Sequence, residues 1–300
     1  MDLWVIITLV AATAQTVRFM LQKHLKATQL STAGATFARF IYSAPLVAVI
    51  AASYARLSGQ GLPQIPPEFW GYAAWGGISQ ILATMCVVAL FAHRNFAVGI
   101  TFKKTEVILA AVVGFVILGD TLSGAAIIAI LIGTTGVLLL SDPPDATGPW
   151  HQRIFNKAAG LGILSGLLFA FSGTGYRGAS LSLLEGDPFY RAIITLAFVT
   201  AFQTTIMAIW LVWRERGEIT KVLRVWRVAG LVGLTSMIGS ISWFTAFTLQ
   251  TVALVNAVGQ IEMVLSLMAA TLFFKEKISV REWQGLALLG VSIVMLILVT

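Results

Sequence analysis

The chain has 300 residues, of which 58% are hydrophobic and 11% charged, and its mean hydropathy is +0.88. Soluble domains carry about 25% charged residues, so this composition excludes an ordinary water-soluble domain and makes lipid the natural solvent. A net charge of +7 would point to nucleic acid in a soluble protein. Here basic loops that orient a membrane protein account for it, and no nucleic-acid partner is expected.

Crossing the hydrocarbon core takes about 20 mostly apolar residues. Ten runs qualify, giving an all-α membrane protein of ten transmembrane helices. The first five cover residues 3–22, 33–54, 69–92, 96–118 and 124–140. The second five cover 158–177, 188–213, 225–249, 252–274 and 280–300. The first run follows Met1 and Asp2 without a basic stretch, so it reads as a retained helix and not a cleaved signal. The runs are continuous, whereas a membrane barrel would alternate. Short breaks such as 59–67 and 186–188 carry Gly, Pro and charged residues. The longest polar stretch, 141–157, holds three of the eight prolines. It divides the chain into a first five-helix repeat (1–142), a linker (143–157) and a second five-helix repeat (158–300). Only Pro45 falls inside a helical run.

Shifting the chain against itself by 156 residues aligns Trp70 with Trp226, Gly77 with Gly233, Phe91 with Phe247 and Glu106 with Glu262. The same offset places the turn at Gly119–Ser123 on Lys275–Ser279. An odd number of helices in each half inverts the halves relative to one another. Inverted repeats are how many secondary transporters are built, with the site near the bilayer midplane between them.

Lys23, Lys26, Arg94, Arg153, Lys157, Arg214, Arg216, Lys221, Arg224, Arg227, Lys275, Lys277 and Arg281 fall on one side of this topology. Arg56, Arg177 and Arg191 fall on the other. Lys and Arg concentrate in cytoplasmic loops. The expected location is therefore a bacterial inner membrane, with both termini in the periplasm.

No GxxxxGK[ST] loop occurs, which argues against ATP-driven transport, and no HExxH occurs. His24, His93 and His151 lie in loops or at run ends, and Cys86 is the only cysteine, so it reads as a small packing residue. Neither a metal nor any other cofactor is expected, nor an enzyme.

Polar residues inside apolar runs are costly, about 2.5–3.5 kcal/mol for a charge at a helix centre, so they should face a cavity or a partner. Lys103 and Glu106 are three apart in the fourth run and share a helix face. They read either as a cavity cation for a carboxylate or phosphate, with Lys104 beside it, or as an internal ion pair with one lysine snorkelling to the interface. Asn256 and Gln260 form one stripe, Gln80 and Thr84 another, and Gln15 with Arg18 a third. Arg39 sits in the first half of the second run, and Trp243, Phe244 and Phe247 in the eighth. The expected substrate-binding set is Gln15, Arg39, Gln80, Thr84, Lys103, Trp243, Asn256 and Gln260. Glu106 and Glu262 are expected as proton sites or helix anchors. The expected cavity is lined by the first, third, fourth, eighth and ninth helices, with a substrate carboxylate near Lys103.

The ends of the two repeats, residues 105–136 and 261–292, resemble the drug/metabolite transporter superfamily, in its ten-helix EamA-type branch. Asp120 and Glu276 take the acidic turn position of that pattern, and Arg39 resembles the arginine usual in its second helix. Val107 and Met263 stand where the pattern has proline. Residues 95–106 are similar to amino-acid and metabolite exporters of the branch. The resemblance implies export of amino acids or similar metabolites by alternating access without ATP. The alternatives are an exchanger of phosphorylated metabolites or nucleotide sugars and, further off, a membrane enzyme or assembly subunit. The expected partners are a small-molecule substrate and the lipid bilayer, with the chain a monomer.

Overall fold

The structure, a computed structural model, describes residues 2–91, 103–141, 157–265 and 280–299. Among these residues all regular structure is α-helical: α1 (Leu3–Thr28), α2 (Thr32–Ser58), α3 (Pro67–Leu90), α4 (Glu106–Leu118), α5 (Gly124–Ser141), α6 (Lys157–Ser182), α7 (Pro188–Arg214), the short α8 (Glu218–Arg224), α9 (Trp226–Leu249), α10 (Val252–Gly259) and α11 (Val280–Val299). The linker from 143 to 156, the basic residues Arg94, Arg153, Lys275 and Lys277, and the turn at Lys275–Ser279 with Glu276 lie outside the described residues.

Helices α1, α2, α3, α7 and α9 are each 24–27 residues long and apolar enough to cross a membrane. At 1.5 Å per residue they reach roughly 36–40 Å, beyond the roughly 30 Å hydrocarbon core. Shorter apolar helices cover Glu106–Leu118, Gly124–Val137, Val252–Leu265 and Trp283–Leu298. This arrangement is consistent with ten spans, with α8 as an extra turn between the seventh and eighth. α2 runs through Pro45 without interruption.

The helix ends follow from local chemistry. Ser31 caps α2 by accepting from the Gly34 N–H, and Gly59 closes it in the left-handed conformation. Asp187 caps α7 through the Phe189 and Tyr190 N–H groups, with Pro188 in the first turn. Large apolar side chains face outward along the spans, among them Val49, Val116, Ile209 and Val212. Trp70, Trp213, Trp226 and Trp283 are exposed near helix ends, where indoles sit at membrane–water interfaces.

The most extensive packing joins α3 to α6, α5 to α11, α1 to α9, α2 to α7 and α4 to α6. Every one of these pairs joins a helix before the linker to one after it, so the two halves share one interleaved core. The offset of 156 residues carries the α3–α6 contact onto α9–α1. Glycines set the distances. A Cβ at Gly77 of α3 would meet Phe202 of α7, and one at its equivalent, Gly233 of α9, would meet Tyr42 of α2. In the α3–α6 seam, a Cβ at Gly175 would lie 2.9 Å from the Gly76 Cα and 2.9 Å from the Tyr72 carbonyl oxygen.

The offset also relates two helix breaks. The turn at Lys104 and Thr105 precedes α4, and the turn at Gln260 separates α10 from the helical residues 261–265. Lys104 and Gln260 are equivalent under the shift. Lys103 therefore precedes α4 and is not part of its continuous helix, which corrects the sequence reading. Broken helices open backbone and side-chain polar groups toward a cavity, and the bilayer tolerates them only there.

Candidate functional site

Between the two breaks lies a narrow cavity of about 50 Å³. Its walls include Gln15 of α1, Gln80 of α3, Ser240 and Trp243 of α9, and Asn256, Gln260 and Glu262 around the second break. Lys103, Lys104 and Glu106 form the wall at the first break. Helix α6 adds Phe169, Ser172, Gly173 and Tyr176, a wall the sequence reading did not assign.

The floor is an ionic network. Lys103 Nζ lies 2.9 Å from Glu106 Oε2, and Lys104 pairs with Glu262. Asn256 Nδ2 donates to Glu106 Oε1 at 3.2 Å, and Gln15 Nε2 donates to Glu262 Oε2 at 3.0 Å. The two equivalent glutamates thus each take one lysine and one amide. Both lysines are buried, so neither snorkels to the interface. The charge-neutral network is also what makes these groups tolerable at this depth, because each buried charge is both paired and hydrogen-bonded. Lys103 also lies 4.9 Å from the centre of the Phe169 ring.

A neutral network forms another wall. Tyr176 Oη donates to Gln80 Oε1 at 2.8 Å. Gln203 Nε2 reaches Gln80 Oε1 at 3.0 Å, the Gly77 carbonyl at 3.0 Å and Tyr176 Oη at 3.1 Å. The apolar walls are aromatic: Tyr176 stacks on Phe244 at 4.1 Å between ring centres, and Trp243 on Phe247 at 5.6 Å. Trp243 Nε1 and Gln260 Oε1 are buried and have no partner among the described residues. A donor and an acceptor are thus open on cavity-lining side chains.

Of the expected binding set, Gln15, Gln80, Lys103, Trp243, Asn256 and Gln260 line the cavity, together with Glu106 and Glu262. Arg39 and Thr84 do not. Arg39 is buried behind the wall, where its Nη1 donates to Thr84 at 3.2 Å and its Nη2 to Ser240 at 3.3 Å. The hydroxyls on α3 and α9 draw the guanidinium sideways, so Arg39 bridges three helices. Lys103 is not the isolated cation that the carboxylate-anchor reading needs, because Glu106 offsets it. Spacing alone exposed the Lys103–Glu106 pair. The Lys104–Glu262 pair depends on which helices become neighbours, and no local pattern reveals that.

A third, largely buried ion pair lies next to Tyr176, outside the cavity lining. Arg177 pairs with Asp120 at 3.2 Å and donates to the Phe247 and Gln250 carbonyls at 2.7 and 2.8 Å. This joins the α4–α5 turn to α6 and the end of α9. Among the described residues no group of His, Cys, Asp and Glu can hold a metal ion.

Residues 156–298 match the EamA-like transporter family. The match covers just under half of the chain, the part that follows the linker. The same general fold is found among solved structures. One crystal structure of a protein matches with a TM-score of 0.66 at 16% identity, covering 98% of this chain and 99% of that one. At that identity the likeness is one of fold. No curated protein matches the chain.

Proposed function

We propose that this multi-pass membrane protein, whose second half is an EamA-like transporter domain, is a secondary transporter that exports amino acids or similar small metabolites. Transport proceeds by alternating access through the central cavity, without ATP. The observation that carries the reading is the cavity itself. Two equivalent helix breaks supply paired charges to it, while the Trp243 N–H and the Gln260 carbonyl oxygen remain open. Gln260 Oε1 is suited to a substrate ammonium, and Trp243, Phe244 and Phe247 to its side chain. Lys103 supplies hydrogen bonds, its charge being offset by Glu106.

The cavity volume of about 50 Å³ is room for a few waters at most. Binding of an amino acid therefore requires the walls to separate, which alternating access would supply. We read residues 1–142 and 158–300 as its two repeats, and 143–157 as the linker. The reading places the chain as a monomer in a bacterial inner membrane, with both termini in the periplasm. Pairing of both lysines with glutamates weakens the alternative of a phosphorylated substrate gripped by Lys103 and Lys104.

Counterflow into liposomes with a panel of labelled amino acids and sugar phosphates tests this. Exchange of amino acids, aromatic ones among them, is expected. Exchange of sugar phosphates alone would overturn the substrate class.

A further inference from the structure

Beside the cavity lie two buried guanidiniums whose charge no described carboxylate offsets. Arg18 is 2% exposed and Arg39 4%. The buried cations around them are all accounted for: Lys103 meets Glu106, Lys104 meets Glu262 and Arg177 meets Asp120. Arg39 instead spends its fork on the hydroxyls of Thr84 and Ser240. Arg18 gives Nη2 to Gln15 Oε1 at 3.3 Å, and its Nη1 is buried with no partner among the described residues. The rings of Phe19 and Phe40, 4.4 and 5.2 Å from the two guanidinium carbons, compensate only weakly. Helix packing alone does not call for this, because a methionine would fill either position without an ionic cost.

Both guanidiniums are one side chain removed from the cavity. Gln15 lines it and accepts from Arg18, and Ser240 lines it and accepts from Arg39. Arg18 lies one turn past Gln15 toward the end of α1, and Arg39 about two turns into α2. The pair therefore sits between the cavity and the end of the bundle where α1 hands over to α2.

We infer that Arg18 and Arg39 form an anion site that receives the carboxylate of the transported molecule, an inference that rests on reading the cavity as a transport site. A carboxylate entering from the α1–α2 end displaces the Thr84 and Ser240 hydroxyls from the Arg39 fork. It replaces two bonds to neutral hydroxyls by bonds in which both partners are charged, and it accepts from the unpartnered Nη1 of Arg18. Release of Thr84 and Ser240 removes these polar ties from α2 to α3 and α9, while the apolar packing around Phe37, Phe40 and Val232 remains. The preferred ligand is a small monocarboxylate with an apolar, preferably aromatic, remainder that continues toward Trp243 and Phe247.

The test is thermal unfolding of the purified full chain in detergent, with phenylacetate and with the isosteric neutral phenylacetamide as probes. A bound ligand stabilises the folded state by mass action. Phenylacetate should raise the midpoint by several degrees and phenylacetamide should not. Arg18→Gln and Arg39→Gln should each abolish the shift, and Arg39→Lys should retain part of it. Equal shifts with both probes, no shift with either, or a phenylacetate shift undiminished by both glutamine variants would overturn the proposal. Should one variant fail to fold, the other decides together with the acid–amide comparison on the unaltered chain. Amino-acid counterflow without an anion-dependent shift would remove this site and leave the transport reading. A shift without counterflow of any labelled amino acid would do the reverse.

Discussion

Lys104 pairs with Glu262 in the opposite half of the chain, while its neighbour Lys103 turns back to Glu106. The ion pairs of the equivalent glutamates thereby differ, one closing within its own break and one bolting the halves together. Removing one partner of a buried pair leaves an uncompensated charge and costs about 3–5 kcal/mol, whereas removing both costs far less. Glu262→Gln should therefore lower the unfolding midpoint of the purified protein strongly, and Lys104→Met with Glu262→Gln should recover most of the loss. Equal destabilisation by the single and the double substitution would show that the pair does not hold the halves together.

The α3–α6 seam should be intolerant of any side chain at Gly175. A Cβ there meets backbone on two sides, at the Gly76 Cα and the Tyr72 carbonyl, and backbone cannot rotate away. Gly175→Ala should cost roughly 1–3 kcal/mol as overpacking. Gly71→Ala, at a helical glycine with nothing within 4 Å of the added Cβ, should be neutral or slightly stabilising. Thermal unfolding of the two variants side by side checks this, and a Gly175→Ala protein as stable as Gly71→Ala would contradict the close approach.

Outside the spans, Asp187 provides a pH-dependent anchor. Burial pushes its carboxyl upward. Hydrogen bonds from Gln60 at 2.9 Å, the Tyr190 N–H at 3.0 Å, Tyr54 at 3.0 Å and the Phe189 N–H at 2.9 Å outweigh this and hold it below its ordinary value of 3.8. A depressed folded value means that the stabilisation is fully present above the ordinary value and is lost as pH falls through the folded one. At neutral pH, Asp187→Asn should be less stable by roughly 0.5–1 kcal/mol, a figure reduced for partial exposure. That gap should close as the pH drops below about 3.8. A gap constant with pH would exclude the carboxylate as its source.

Much of this architecture is legible in the sequence, because lipid imposes a simple rule: apolar runs span, and polar residues within them face inward. That rule picks out Gln15, Gln80, Lys103, Asn256 and Gln260, which all line the cavity. It cannot tell a first layer from a second, so Arg39 and Thr84 read as cavity residues although they bond to one another behind the wall. Ser172 and Tyr176 escape it because a serine and a tyrosine in an apolar helix are unremarkable until α6 packs against α3. The helix breaks escape it too. Lys104 and Gln260 interrupt apolar runs without proline, since Val107 and Met263 stand where the resembling pattern has one.

The orientation rests on the distribution of Lys and Arg and has its own check. With both termini in the periplasm, a C-terminal phosphatase fusion should be active and a C-terminal fluorescent-protein fusion dark. The reverse pattern would invert the topology and place the Arg18–Arg39 end toward the periplasm.

Counterflow in ATP-free liposomes, measured for the unaltered chain and for Gln260→Leu, tests transport through the central cavity most directly. Gln260 lines the cavity and its carbonyl oxygen has no partner among the described residues, and leucine keeps the bulk while removing the acceptor. A hydrogen bond to a charged group contributes about 1.5–3 kcal/mol, tenfold or more in an equilibrium constant. The unaltered chain should exchange labelled amino acid without ATP, and Gln260→Leu, inserted at the same level, should exchange it at least about tenfold more slowly. Failure of the unaltered chain to exchange any labelled amino acid, or full exchange by Gln260→Leu, would contradict the account.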